Sequence, residues 1–188
     1  MTTLYLALVH HPIVNKRGEL ITTSVTNLDL HDIARSCKTF GFKHYFVVTP
    51  IQAQHELIHK ILGYWKTDTA NEYNPDRFDA LDLIKVVSSL DEAIAAISSA
   101  EQAQPLVATT QAQNDNPTGN CQALLTLAKS ENKPILLVLG TGWGLHADIV
   151  HKAHFRLDPI PGAKDYNHLS VRSAAAIYTS HLSSVILP

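Results

Sequence analysis

The sequence predicts an α/β fold, a mainly parallel six-stranded sheet with helices on both faces. Three observations carry this. Apolar runs of strand length alternate along the chain with segments of helical period, the pattern that places a crossover helix after each strand. The runs Leu4–Val9 and 135–139 are wholly apolar rather than alternating, which suits strands covered on both faces. Glycine-bearing loops leave two of the runs, at Gly140, Gly142 and Gly144 and at Pro161 and Gly162, and in an open α/β sheet such loops form the ligand crevice.

Composition sets the outer bounds. With 188 residues, 45% apolar and 17% charged, the chain has enough apolar material for a sizeable core, read here as one domain over 1–188. No apolar run reaches the roughly 20 residues that span a bilayer, so no membrane partner is expected. The N-terminus lacks a basic region and a cleavage site, and reads as a first strand. Cys37 and Cys121 are expected to be reduced, buried thiols in a cytoplasmic protein. A net charge of −2 speaks against a basic face over the whole chain but leaves room for a local patch.

Taken in order, Leu4–Val9 is the first strand and 15–18 a turn. Leu30, Ile33, Ala34, Cys37 and Phe40 fall at helical spacing, with Thr26 or Asn27 to cap the start and Gly41 the end. His44–Val48 is the second strand. A helix over 51–65 carries Ile58, Ile61, Leu62 and Trp65 on one face. Asn74 and Pro75 open a short helix, 84–88 is the third strand, and Ser89 and Glu92 form a capping box. The fourth strand is 105–110, followed by a polar loop over 111–120 and a helix over 121–129. The fifth and sixth strands are 135–139 and 155–160. A last helix starts near Leu169 and carries Ala174, Ala175, Ala176 and Ile177.

One local pattern competes for the function. His55, Glu56 and His59 match H-E-x-x-H, which on a helix sets two histidines on one face with a glutamate to act as base for a zinc hydrolase. Only three positions are fixed, no third histidine follows at the usual spacing, and Glu72 is the best spare ligand. The expectation is therefore no metal and a solvated helix face, with the zinc-dependent hydrolase as the alternative.

A family resemblance gives the sharper reading. Leu137-Val138-Leu139-Gly140, then Gly144-Leu145, then Ile160-Pro161, then Leu169, Val171 and Ala174-Ala175-Ala176-Ile177 resemble motifs two and three of the SPOUT RNA methyltransferases. Asp29, Arg35 and Phe40-Gly41 resemble motif one, with Asp29 where many members have Asn. Ser170 and Arg172 stand where Asn and Ser are commonest, which leaves the acceptor atom open.

The resemblance implies a trefoil knot near the C-terminus, although knots are almost absent from proteins at large. It implies S-adenosylmethionine as cofactor, a tRNA or rRNA substrate, and a homodimer through the C-terminal helix, where Ser173 and Ala174 to Ala176 allow close approach. Methyl transfer is an in-line displacement at a carbon on a sulfonium, so it calls for a held donor and an aligned acceptor rather than a metal. The implied cofactor-binding residues are Gly140, Thr141, Gly142 and Gly144 with Leu139 before them, Ile160, Pro161 and Gly162, and Leu169 and Ser170. Thr109 and Thr110 end the neighbouring strand. Arg35 and Asp29 are the implied catalytic pair. A guanidinium stays protonated, so Arg35 would orient a phosphate or the leaving proton. Asp29, or Asp165, would be the base. Lys38, Lys164 and Arg172 would hold RNA phosphates. A non-catalytic homologue that binds S-adenosylmethionine or RNA is a further alternative.

Overall fold

The computed structural model describes residues 2–67, 72–113, 116–163 and 166–184. Their order is β1 (Leu4–Val9), β2 (Ile13–Val14), β3 (Leu20–Ile21), α1 (Asn27–Thr39), β4 (His44–Val48), α2 (Gln52–Trp65), α3 (Pro75–Leu81), β5 (Ile84–Val87), α4 (Leu90–Glu101), β6 (Leu106–Thr109), α5 (Cys121–Glu131), β7 (Ile135–Gly140), α6 (Ala147–Lys152), β8 (Phe155–Arg156) and α7 (Val171–Ser184). Six strands form one sheet in the order β5-β4-β1-β7-β6-β8, and every neighbouring pair is parallel. All six therefore end on one edge.

Strand β1 shows why the sheet needs two covers. Its six residues are all buried. Side chains alternate across a strand, so Leu4, Leu6 and Leu8 point into the core with α1, α5 and α7, while Tyr5, Ala7 and Val9 point to Ala93 and Ile97 of α4 and Ile149 of α6. Burying an aliphatic side chain of this size contributes about 1.5–3 kcal/mol, which fixes the register against slippage.

The helix ends are set by local chemistry. Thr26, Asn74, Ser89 and Asn120 each accept a backbone N–H at the start of a helix, a contribution of about 1 kcal/mol apiece. At Ser89 the reciprocal bond reaches one residue further back than expected: Glu92 accepts from the N–H of Ser88 at 2.8 Å. At the end of α1, Gly41 has φ +73°, and Phe42 N–H closes on the carbonyl of Cys37 at 2.9 Å.

Four departures from the expected elements matter. The turn at 15–18 joins a small antiparallel hairpin, β2–β3, which periodicity over two-residue strands does not reveal. Helix α6 is six residues long and was equally illegible. The sixth strand covers Phe155–Arg156, not 155–160. Leu157 makes one more bridge, to Gly119, and then Pro159 and Pro161, which have no N–H to donate, end the pairing. The last helix begins at Val171 rather than Leu169, with the hydroxyl of Ser170 accepting Ser173 N–H at 3.2 Å.

Candidate functional site

Strands β7, β6 and β8 lie side by side, so the loops that follow them meet on the carboxyl edge. Specific bonds draw two of them together. The side-chain amide of Asn167 donates to the carbonyl of Ile160 at 2.8 Å and to that of Ala112 at 3.2 Å. Thr118 N–H donates to the carbonyl of Arg156 at 2.7 Å, and Asp158 N–H to that of Gly119 at 2.9 Å. From below, the Tyr178 hydroxyl of α7 donates to the Asp158 carbonyl at 2.9 Å. Asn167 has no helical or strand role, so nothing in the sequence pattern marked it as the tie.

The β7 loop is held by the hairpin. Trp143 N–H donates to the carbonyl of Val14, and Val14 N–H donates to that of Gly144. The three glycines do different work. A Cβ on Gly140 would meet the backbone nitrogen of Leu145 at 2.7 Å, so this glycine lets the loop fold back on itself. Gly142, at φ +60°, would point a Cβ at Ile13 Cδ1, 3.0 Å away, on the hairpin. Gly144 alone faces open space, at φ +116°. Of the three, Gly144 is therefore the one whose Cβ position no protein atom approaches. Gly162 resembles Gly140: its Cβ would meet the carbonyl oxygen of Tyr166 at 2.6 Å.

The side chains expected at the crevice fall into two groups. Residues 109–110, 139–144 and 160–162 sit on or shortly beyond the ends of β6, β7 and β8, and 169–170 immediately precede α7. Pro161, Gly162, Leu169 and Ser170 are exposed and Ile160 is half-buried. Leu139 is buried, leaving only its main chain towards the edge. Thr109 is buried too, and its hydroxyl has no hydrogen-bond partner. The Thr110 hydroxyl donates to the carbonyl of Val138 at 3.3 Å. Arg35 and Lys38 are elsewhere, on the exposed side of α1. Lys38 makes a surface ion pair with Asp79 at 3.6 Å, and Arg35 opens on a groove between α1 and α2. Lys164 and Asp165 lie outside the described residues.

Asp29 and Arg172, expected in separate roles, meet each other. Arg172 Nε is 3.7 Å from Asp29 Oδ1, and the other carboxylate oxygen accepts the Thr26 hydroxyl at 2.6 Å. Arg172 also lies 3.6 Å from Asp32.

Two side chains at this edge, Trp143 and His10, escaped the sequence reading. Trp143 is 61% exposed at the tip of the β7 loop, with the Lys16 ammonium 5.9 Å from its ring and the His168 ring 6.4 Å away. His10 follows β1 and is fully buried. Its Nδ1 is 3.0 Å from Thr23 Oγ1, which is 2.5 Å from Thr141 Oγ1. Burial pushes the His10 pKa down to about 4, against a smaller opposing pull from Asp29. A histidine directly after a buried central strand was a signal available in the sequence.

The zinc pattern does not assemble. His55 Nε2 bonds the carbonyl of Thr49 at 2.6 Å, and Glu56 and His59 are exposed. Among the described residues no three side chains of metal-binding type cluster. The Thr49 bond leaves only Nδ1 of His55 open.

The profile of a family described as SAM-dependent RNA methyltransferases matches residues 3–184. The chain belongs to this family. It is this match that disfavours the hydrolase reading. Among curated relatives, a tRNA (guanine-N(1)-)-methyltransferase of Oleidesulfovibrio alaskensis is 42% identical over 93% of this chain but only 40% of its own length. An uncharacterized protein of Aquifex aeolicus is 36% identical over 96% of this chain and 88% of its own. The chain thus spans about two-fifths of the guanine-N(1) relative. Among solved structures, a probable methyltransferase from Bordetella pertussis superposes with TM-score 0.64 at 20% identity, covering 99% of this chain and 97% of that one. A TrmH/SpoU tRNA modifying enzyme from A. aeolicus gives TM-score 0.60 at 14% identity, over 98% and 75%. The chain has the SPOUT fold, and S-adenosylmethionine is the cofactor of the family it belongs to.

Proposed function

We propose that the chain methylates a nucleotide of tRNA or rRNA, with the donor bound where the loops after β6, β7 and β8 meet. The observation that carries this is the bare backbone of Gly144, turned to open space beside two loops that Asn167 ties together. A crevice lined by main chain and by Ile160 and Leu169 fits an adenosine group, whose ring takes amide and carbonyl partners on its edge and apolar contacts on its faces. When bound, S-adenosylmethionine supplies an electrophilic methyl carbon and needs no metal. The protein's share is to hold the acceptor in line and to exclude water.

Within one subunit Asp29 is engaged by Thr26 and Arg172, while Arg35 opens on the groove between α1 and α2. A homodimer through α7 would bring a second Arg35 near the crevice. Support comes from half-buried Ile177 on α7 and from exposed Leu28 and Leu169, which flank Asp29 and Arg172 in sequence. Tyr178 and Leu182 are consumed in the subunit's own core. The fold's C-terminal segment is proposed to thread as a trefoil knot. A cytoplasmic setting is proposed on the RNA substrate, and no helix among the described residues is long and apolar enough to cross a membrane.

The guanine-N(1) specificity of the long relatives is not carried over. The 60% of the O. alaskensis protein outside the match is large enough to hold a separate catalytic domain. Calorimetry with S-adenosylmethionine and transfer of labelled methyl to total tRNA and to ribosomal RNA test the proposal. Binding without transfer to either pool would leave a non-catalytic homologue, and no binding would remove the reading altogether.

A further inference from the structure

Away from the donor crevice, α1, α2 and α3 enclose an open groove of about 620 Å³. Its walls combine three cations, Arg35, Lys60 and Arg77, with the rings of Tyr64, Trp65 and His31. The rings are organised rather than scattered. Trp65 is met edge-on by Tyr64 and by His31, each at 5.6 Å, and the Arg77 guanidinium lies over its face at 5.0 Å. Tyr64 stays 64% exposed. Among the described residues no carboxylate pairs with Arg35, Lys60 or Arg77. Asp32, which also lines the groove, is turned to Arg172 instead. Arg77 Nε and His31 Nδ1 are shut off from solvent without a hydrogen-bond partner. A local basic patch in a chain of net charge −2 is a departure from the rest of the surface.

We infer that this groove binds single-stranded RNA, stacking a base on Tyr64 and placing its phosphates against Arg35, Lys60 and Arg77. Unpaired cations beside an exposed ring match the two parts of a nucleotide: the phosphate takes charge, and the base takes a flat apolar face. A peptide partner of acidic character would use the cations but not the ring. The groove adjoins the crevice through one helix, since Asp32 on its wall contacts Arg172, two residues beyond Ser170. RNA held here would run past α1 towards the donor loops. This inference rests on the reading of the chain as an RNA methyltransferase.

The test is fluorescence anisotropy with a labelled single-stranded RNA of about 12 nucleotides, run beside calorimetry with S-adenosylmethionine, methyl transfer and sedimentation. Tyr64→Ala is expected to weaken RNA binding about tenfold or more. Lys60→Ala is expected to weaken it and to lower the slope of log affinity against log salt by about 0.7, the share of one phosphate contact on a single strand. Lys129→Ala, on α5, should leave affinity unchanged. Donor affinity should be the same in all three. Both groove residues are exposed, so folding is not at stake. Wild-type RNA affinity in Tyr64→Ala and Lys60→Ala, in a protein that still transfers methyl, would overturn the groove and leave the proposed function standing. A change in sedimenting mass in either variant, with RNA affinity intact, would make the groove a contact between copies and overturn it also. A wild-type protein that neither binds RNA nor transfers methyl would remove both.

Discussion

The guanidinium of Arg172, at the start of α7, is 3.7 Å from the carboxylate of Asp29, at the start of α1. Their contact holds the two helix starts side by side. Asp29 is almost buried and Arg172 about one-third exposed. A part-buried pair at this distance contributes less than a fully enclosed one, but removing the arginine leaves a carboxylate with poor access to water. Arg172→Ala is expected to cost about 1–2 kcal/mol in urea unfolding. In an Asp29→Asn background the same change should cost about half that or less, since only Asp32 is then left for the arginine. Equal costs in the two backgrounds would show that the pair is not coupled.

The glycines of the β7 loop separate shape from ligand contact. Gly140→Ala forces a Cβ to within 2.7 Å of a backbone nitrogen and should destabilise the protein by about 2–4 kcal/mol. Gly142→Val adds a β-branched side chain at φ +60° against Ile13 and should lose donor affinity by deforming the loop. Gly144→Ala meets no protein atom within 4 Å. It should cost about 1–2 kcal/mol for its backbone conformation and yet lose donor affinity at least as severely as Gly142→Val. Calorimetry and thermal melts on the three variants give the order. Full affinity in folded Gly144→Ala would place the ligand elsewhere.

How much of this was legible beforehand follows from what each residue contributes locally. β1 and β7 were readable because a wholly apolar run has few other uses, and α1 because its stripe and both caps lie within sixteen residues. The crevice was readable as far as glycines mark loops. The sequence could not say which glycine faces open space, because Gly142 packs against Ile13, more than a hundred residues away. Asn167, tying Ile160 to Ala112, is long-range in the same sense. Arg172 and Asp29 were both picked out, but their pairing depends on how α7 lies on α1, which no periodicity encodes.

Trp143 offers a test of where the acceptor sits. An indole that is 61% exposed contributes little to the core, so Trp143→Ala should shift the melting temperature by about two degrees or less. The ring stands on the loop that carries Gly144, flanked by Lys16 and His168. As a stacking face for the acceptor base it should be needed for RNA rather than for the donor. The KM for RNA is expected to rise about tenfold, with donor affinity changed much less. A loss confined to donor affinity would assign the ring to the adenosine instead.

His10 gives the folded chain a pH dependence whose sign can be worked out. Its ordinary pKa of 6.5 falls to about 4 in the folded protein, because the ring is buried between β4 and β7 with Nε2 unpartnered. Between those values the unfolded chain holds the proton and the folded chain does not. Stability therefore falls as pH is lowered through 6.5 towards 4, by about 3 kcal/mol in all, and this group has no effect above 6.5. Burial lowers His31 and His44 as well, so they add slope of the same sign. Glu101 acts in the opposite electrostatic sense but in a lower window. Its carboxyl, held below 4.5 by Lys43 and Tyr5, contributes stability that is lost as pH falls through its folded value. His10→Asn keeps a similar shape without the titration, and should flatten the unfolding free energy between pH 6.5 and 4.5 without abolishing the residual slope. The readout is urea unfolding at half-unit steps of pH. A wild-type slope in His10→Asn would mean that the buried ring is not the group that takes up the proton on unfolding.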